Sequence, residues 1–446
     1  MLQSIAERGR ALIGTRDRRG VAEQRSESLV QLCEDLLSGR GEASGVALAR
    51  EILSRYVELT TGPRIAFFEA LASRFGPDRN RLSAAASAWL TAPSDAAASK
   101  VHRASEPRRL ELFRRLNLAP GGTAALVRMR EQLLDAMNHR DDLVVVDDDF
   151  LHLFSSWFNR GFLVLESINW STSAHLLEKI IRYEAVHTIR DWNDLRARVD
   201  SPDRRCYAFF HPALADEPLI FVEVALTRGI PAAIDPILSA KREPVEPERA
   251  TTAVFYSISN CQRGLAGVSF GHFLIKQVVE EVSRELPRLA TFITLSPAPN
   301  FAAWLKTERA KESSAALGAE DRAALAALDR PNWWRDEASA ETVHEPLLRA
   351  AAWYYLRARS PRGTPLDSVA RFHLGNGARL ERLNFLGDTS ERALQQSHGL
   401  MVNYLYDLEH IEQNHEAYAQ QHAIVAASAV TRLVRAPARD IVPADE

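Results

Sequence analysis

Between a strand-like run and a strongly periodic helix the sequence reads Gln262-Arg263-Gly264-Leu265-Ala266-Gly267-Val268-Ser269-Phe270-Gly271-His272. Glycines at this spacing let backbone N–H groups approach a phosphate closely, and the helix start that follows adds unpaired donors and a positive dipole end. A pyrophosphate could lie here, although a strand-to-helix loop of this kind also serves as a plain tight turn. Neither a Walker loop nor the dinucleotide fingerprint is present. Inside the same stretch, Gly267-Val268-Ser269-Phe270-Gly271 satisfies the Gly-x-Ser-x-Gly pattern of a hydrolase nucleophile elbow, with Asp367 or Asp388 and then His398 in the right order to complete a triad. That elbow requires a strand ending directly before the first glycine, whereas the preceding strand pattern ends near Ile258.

Two further segments carry groups suited to acid–base work. Leu295-Ser296-Pro297-Ala298-Pro299 places a hydroxyl just past an apolar run, where prolines stiffen the backbone. Ligands of open sheets gather at that end of the strands, and a Ser-Pro turn is the plainer alternative. Arg371-Phe372-His373-Leu374-Gly375-Asn376-Gly377 sets a histidine among apolar neighbours beside a turn, as a general acid or as a structural imidazole. His344, His398, His415 and His422 share no metal-ligand spacing with a carboxylate or cysteine cluster, so no metal is expected.

The elements that must position these groups fall into two textures. From Ser26 to about Asn159 apolar residues recur at helical spacing, as in Leu48, Ile52, Tyr56 and Leu59. Breaks are expected at Gly39-Arg40-Gly41, Thr61-Gly62-Pro63, Gly76-Pro77-Asp78 and Pro120-Gly121-Gly122. This half reads as a helical bundle without a chemistry-bearing cluster, a module for packing and oligomerisation. After Gly161 strand-like runs appear at Cys206 to Phe210, Leu219 to Leu226, Thr252 to Ile258 and Thr291 to Leu295. A helix with Leu274, Ile275, Val278, Val279 and Val282 on one side lies between the last two, further helices are expected around Leu317 to Leu328 and Leu347 to Leu356, and a mixed region runs from Ser368 to Asp407. The expected class is α+β: an all-helical domain over residues 1–160, then a mixed β-sheet flanked by helices over residues 161–446.

The chain has 446 residues and a formal net charge of −3, which selects neither nucleic acid nor an anionic membrane as partner. Cys33, Cys206 and Cys261 are odd in number and widely spaced, which fits a reducing compartment. No apolar run approaches the roughly 18 residues that cross a bilayer. Glu7, Asp17 and Glu23 interrupt the arginines of the first stretch, and Pro443-Ala444-Asp445-Glu446 is not a peroxisomal address. The expectation is a soluble, cytoplasmic protein.

Taken in order, several segments resemble the malonyl-CoA decarboxylase family: Tyr183-Glu184-Ala185-Val186-His187, Arg205-Cys206-Tyr207, Phe255-Tyr256-Ser257-Ile258-Ser259, Gln262-x-Gly264-Leu265-x-Gly267 with Leu274-Ile275-Lys276, Leu295-Ser296-Pro297-x-Pro299, Phe372-His373-Leu374-x-Asn376-Gly377-Ala378 and Gly399-Leu400-Met401-Val402-Asn403-Tyr404. The resemblance spans Gly161 to Asp407 and is looser before it. It implies a helical domain used in tetramer assembly and a catalytic domain like the GNAT acyltransferases, whose sheet splays open to admit coenzyme A. It further implies conversion of malonyl-CoA to acetyl-CoA and carbon dioxide with no cofactor beyond the coenzyme A thioester itself. By resemblance Ser296 is the catalytic serine and His373 the catalytic histidine, while Ala266, Gly267, Val268, Ser269, Phe270, Gly271 and His272 contact coenzyme A. Asn376 and Tyr406 complete the expected substrate neighbours. Animal members of the family carry glutamate at the position of Ser269. A GNAT-like acyltransferase and a serine esterase built on Ser269 are the alternatives.

Overall fold

The computed structural model describes residues 27–38, 42–138, 140–268, 270 and 274–434. Ser269, Gly271 and His272, the ends of the chain and the break expected at Gly39-Arg40-Gly41 lie outside the described residues. The chain forms two compact units. One is the helical region up to Leu163 together with His211–Asp216 and Gln262–Phe270; the other holds Val164–Phe210, Glu217–Cys261 and the described residues from 274 onward.

In the first unit, periodicity becomes burial as expected. The helix Glu42–Val57 turns Ala49, Ile52, Leu53 and Tyr56 inward, and Val144–Trp157 turns in Val146, Phe150, Leu153 and Phe154. Phe113 of the helix Arg108–Asn117 stacks on Phe150 with ring centroids 4.1 Å apart. Gly76-Pro77-Asp78 separates two helices, with Asp78 capping Asn80 and Arg81 amides, and Gly121 (φ +72°) starts the helix Gly122–Ala136. The break expected at Thr61-Gly62-Pro63 is instead the first turn of the helix Thr61–Arg74. Proline is tolerated there because its missing N–H would have no helical partner anyway.

The second unit is built on a sheet whose strands are β1 (Val164–Ile168), β2 (Arg204–Phe210), β3 (Ile220–Thr227), β4 (Thr252–Asn260), β5 (Thr291–Thr294), β6 (Ser296–Pro297), β7 (Arg379–Asn384) and β8 (Met401–Leu405). Their order is β1-β2-β3-β4-β5-β8-β6, with β7 also on β8. β2, β3 and β4 are rich in apolar residues and buried along nearly their whole length because both of their faces are covered. All pairings are antiparallel except β4 with β5, which the helix Leu274–Glu285 joins as the crossover a parallel pair requires. The α+β class with a mixed sheet is therefore what the chain adopts. No helix among the described residues is long and apolar enough to cross a membrane.

β4 and β5 stay paired only from Thr252 and Thr291 to Phe255 and Thr294, with a last bond from Leu295 N–H to the Phe255 carbonyl at 3.0 Å. β4 then runs on to Asn260, paired with β3 alone, while the continuation of β5 pairs with β8 through Ser296 and Val402. Local chemistry drives the parting. The Thr294 carbonyl accepts the Asn403 amide of β8 at 2.7 Å, the Thr294 hydroxyl accepts the Tyr404 N–H at 3.1 Å, and Pro297 has no N–H to return to the ladder.

Candidate active site

The parting of β4 and β5 leaves Ser296 at the point where the fifth strand is handed from one neighbour to the other. His373 arrives from the last turn of the helix Ser368–Gly375, and Tyr406 from the residue after β8, where its N–H still bonds the Phe292 carbonyl at 2.8 Å. His373 Nε2 lies 3.1 Å from Ser296 Oγ and Nδ1 lies 2.8 Å from the Tyr406 hydroxyl. Ser296 Oγ is in turn 2.9 Å from Thr294 Oγ1. All four side chains are buried.

Proton placement follows from the network. The single Ser296 hydroxyl hydrogen goes to Thr294, so Nε2 must carry the hydrogen it shares with Ser296, and Nδ1 accepts from Tyr406. The charge state agrees. Burial lowers the His373 pKa to about 3 and raises that of Tyr406, so a neutral imidazole sits between a protonated phenol and a serine. The imidazole also stacks on Tyr404, with ring centroids 4.6 Å apart, which fixes its plane. A neutral N–H held rigidly in a dry site is a donor aimed at developing negative charge, and it is poorly placed to deprotonate Ser296.

Asp367 holds the helix that carries His373. One carboxylate oxygen caps the Ala370 amide at 2.8 Å; the other is buried without a hydrogen-bond partner, and burial raises the pKa from 3.8 to about 6. Because the folded carboxyl binds its proton more tightly than the unfolded one, this group favours folding at low pH, and the benefit is lost as pH rises through 6. At pH 8 the penalty is roughly 3 kcal/mol. Asp367→Asn keeps a good N-cap and removes the charge, so it is expected to raise the melting temperature by a few degrees at pH 8 and by about half as much near pH 5, where the unfolded aspartate is already ionised. An equal shift at both values would refute this account.

Asn376, expected beside the substrate, spends its side-chain amide on the Phe372 carbonyl at 2.7 Å and helps close the same helix. Next to it, Gly377 has φ +81°, and a Cβ there would meet the Ile411 carbonyl oxygen at 2.1 Å. Of the expected coenzyme A contacts, Ala266, Gly267, Val268 and Phe270 are described and belong to the helical unit, where the turn Arg263–Leu265 precedes Gly267 at φ +79°. β4 ends at Asn260, with that turn between it and Gly267, so no strand leads into Gly267 as a nucleophile elbow demands. The proposed triad partners are not assembled either. Asp367 caps its own helix, Asp388 accepts the Ser390 amide, and His398 lies by Arg309 and Asp329 with a pKa lowered by burial to about 4.

Thr294 and Tyr404 were not anticipated. Strand periodicity is the signal that could have found them, since side chains two residues apart share a face: Thr294 with Ser296, and Tyr404 with Tyr406. A second buried polar cluster absorbs the Tyr183 to His187 segment. The Glu184 carboxylate accepts the amides of Val186 and His187 and the hydroxyls of Ser257 and Ser259 at 2.7 to 2.9 Å, tying this segment to the part of β4 that β5 has left. Among the described residues no group of three His, Cys, Asp or Glu side chains is arranged to hold a metal ion.

Comparison with known proteins gives one answer along most of the chain. The malonyl-CoA decarboxylase C-terminal domain matches residues 161–443 and the corresponding N-terminal domain matches residues 75–158. The mitochondrial malonyl-CoA decarboxylase of Anser anser anser is 36% identical over 417 residues, covering 86% of this chain and 82% of that protein. The crystal structure of malonyl-CoA decarboxylase from Rhodopseudomonas palustris superposes with a TM-score of 0.89 at 60% identity, covering 91% of this chain and 99% of the other. That from Agrobacterium vitis gives 0.86 at 56% identity, covering 92% and 100%. A Ser–His–Tyr network on a parted mixed sheet thus sits in a chain that matches both domains of one family at high coverage, and the chain belongs to the malonyl-CoA decarboxylase family.

Proposed function

We propose that this chain converts malonyl-CoA to acetyl-CoA and carbon dioxide, with Ser296 and His373 at the reacting end of the substrate and Ala266 to His272 against its coenzyme A moiety. The observation that carries the reading is the buried Ser296–His373–Tyr406 chain at the point where β4 and β5 part. Past Phe255 one edge of β4 has no strand beside it among the described residues, which offers backbone groups to the amides of an extended pantetheine arm. The C–C bond to the carboxylate breaks, its electron pair becomes the enolate of the thioester, and carbon dioxide leaves. Ser296 turns its hydroxyl from Thr294 to the malonyl carboxylate and orients that bond for cleavage. His373 donates Nε2–H to the enolate, a far stronger base than the imidazole's conjugate base, and recovers a proton from water. Loss of solvent around the leaving carboxylate strengthens each of these interactions.

The same reading carries a two-domain division near residue 160, a cytoplasmic setting and a homo-oligomer, taken as a tetramer, assembled through the helical domain. In support of the assembly, the helix Arg79–Thr91 buries none of its side chains within the chain and exposes Trp89 and Leu90.

Incubation of the purified protein with malonyl-CoA carrying a labelled free carboxyl is expected to release labelled carbon dioxide and acetyl-CoA in equal amounts. Release of free coenzyme A and malonate would instead indicate a hydrolase, and an acylated amine without gas would indicate an acyltransferase.

A further inference from the structure

Arg130 is buried in the helix Gly122–Ala136, and its guanidinium makes four hydrogen bonds. Nε and Nη2 donate to the two carboxylate oxygens of Asp147 at 2.7 and 3.3 Å, while Nη1 donates to the carbonyls of Gly264 and Ala266 at 2.9 and 2.7 Å. Asp147 stands on the neighbouring helix Val144–Trp157 and sets the plane of the fork. A second anchor lies beside it. A Cβ at Gly264 would come within 2.0 Å of the Val127 carbonyl oxygen, so the loop backbone presses directly on the helix, one turn from Arg130.

We infer that Arg130, oriented by Asp147, is a positioning residue for the coenzyme A loop. The inference rests on the proposed role of Ala266 to His272. Its geometric content is simple. The peptide bonds of the described residues are trans, so a carbonyl and the following N–H point to opposite sides of each peptide plane. With the Ala266 carbonyl drawn to Arg130, the Gly267 N–H faces away from the helix, and the φ of +79° at Gly267 turns the chain again directly afterwards. A salt-bridged guanidinium with two carbonyl acceptors is better suited to this than any neutral side chain, because it supplies fixed donors in one plane and leaves no acceptor of its own unpaired.

Two variants test the inference. Arg130→Lys keeps the charge next to Asp147 but cannot reach both carbonyls with a rigid fork. The double variant Arg130→Met with Asp147→Leu removes both charges together, a replacement that buried ion pairs often tolerate in folding. Calorimetric titration with coenzyme A, kcat with malonyl-CoA and a melting curve are read for each, alongside Gly267→Val as a probe of the loop itself. Both Arg130 variants are expected to weaken coenzyme A binding about 10- to 100-fold, as misplacement of a positioned contact does. Their kcat at saturating malonyl-CoA should stay within about threefold, a split that a merely structural role would not give. If Gly267→Val weakens binding and folded Arg130 variants do not, the inference is wrong and the loop assignment stands. If none of the variants alters binding, the loop assignment itself fails and takes the inference with it.

Discussion

His373→Ala is expected to lower kcat for malonyl-CoA decarboxylation by about 10³- to 10⁴-fold, the upper range for loss of a positioned proton donor, while the dissociation constant for coenzyme A moves less than about threefold. The imidazole touches Ser296, Tyr406 and the ring of Tyr404, all within the sheet unit, so its removal takes away the Nε2–H donor without disturbing the loop over 262–270. The pH profile separates this mechanism from one that uses an imidazolium acid. With its pKa lowered to about 3, His373 stays neutral over the working range, so kcat should show no inflection near pH 6.5 from this group. Acid inactivation should instead follow unfolding. A histidine whose folded pKa lies below its unfolded value contributes stability that is complete above pH 6.5 and is lost as pH falls toward the folded pKa, here about 3 for His373 and about 4 for His187 and His398. Tryptophan fluorescence and kcat measured together from pH 8 to 4 should decline in step. A kcat that titrates near 6.5 while fluorescence is unchanged would refute the neutral-donor assignment, as would an alanine variant retaining a tenth of wild-type turnover.

Ser296 and His373 stand out in the sequence beside residues that fix a backbone, prolines after the serine and a Gly-Asn-Gly turn after the histidine, but those neighbours fit a plain turn and a structural imidazole equally well; only the resemblance pairs the two side chains, which the fold brings within 3.1 Å. The four strongest strands were legible because they are buried on both faces and therefore read as short runs rich in β-branched, aromatic and other apolar residues. β7 and β8 were not, because their central residues are polar for structural reasons. Asn403 in the middle of β8 is fully buried, accepting from Arg382 and Asn384 and donating to the Thr294 carbonyl, and that arrangement pulls β5 away from β4. A buried asparagine on a strand looks in sequence like a loop residue. β1 escaped notice because it is an edge strand with mostly exposed side chains. The link between Arg130 and the loop was invisible for a different reason: its partners at 264 and 266 are 134 and 136 residues away, and neither a lone arginine in a helix nor a glycine in a loop announces such a pairing. The helical half therefore read as a packing module with no chemistry-bearing cluster, although the polar pair that anchors the loop lies inside it.

Ser296→Ala is expected to lower kcat about 10²- to 10³-fold, the usual consequence of losing one well-aimed hydroxyl or amide donor at a reacting group. It should also cost about 1 to 3 kcal/mol of stability, because the His373 Nε2–H and the Thr294 hydroxyl would each lose a buried partner. The size of the rate effect matters less than its character. A nucleophilic serine needs its hydrogen drawn off by the imidazole, yet here that hydrogen points to Thr294 and the imidazole nitrogen facing Ser296 is itself a donor. The network therefore suits a serine that grips a carboxylate and does not suit one that attacks a thioester. Mass spectrometry of the wild-type protein quenched during turnover should find no malonyl or acetyl adduct on Ser296, and the first turnover should show no burst of free coenzyme A. A trapped acyl-serine would overturn the carboxylate-holding role and leave His373 as the base of a covalent mechanism, with the opposite tautomer from the one its neighbours impose.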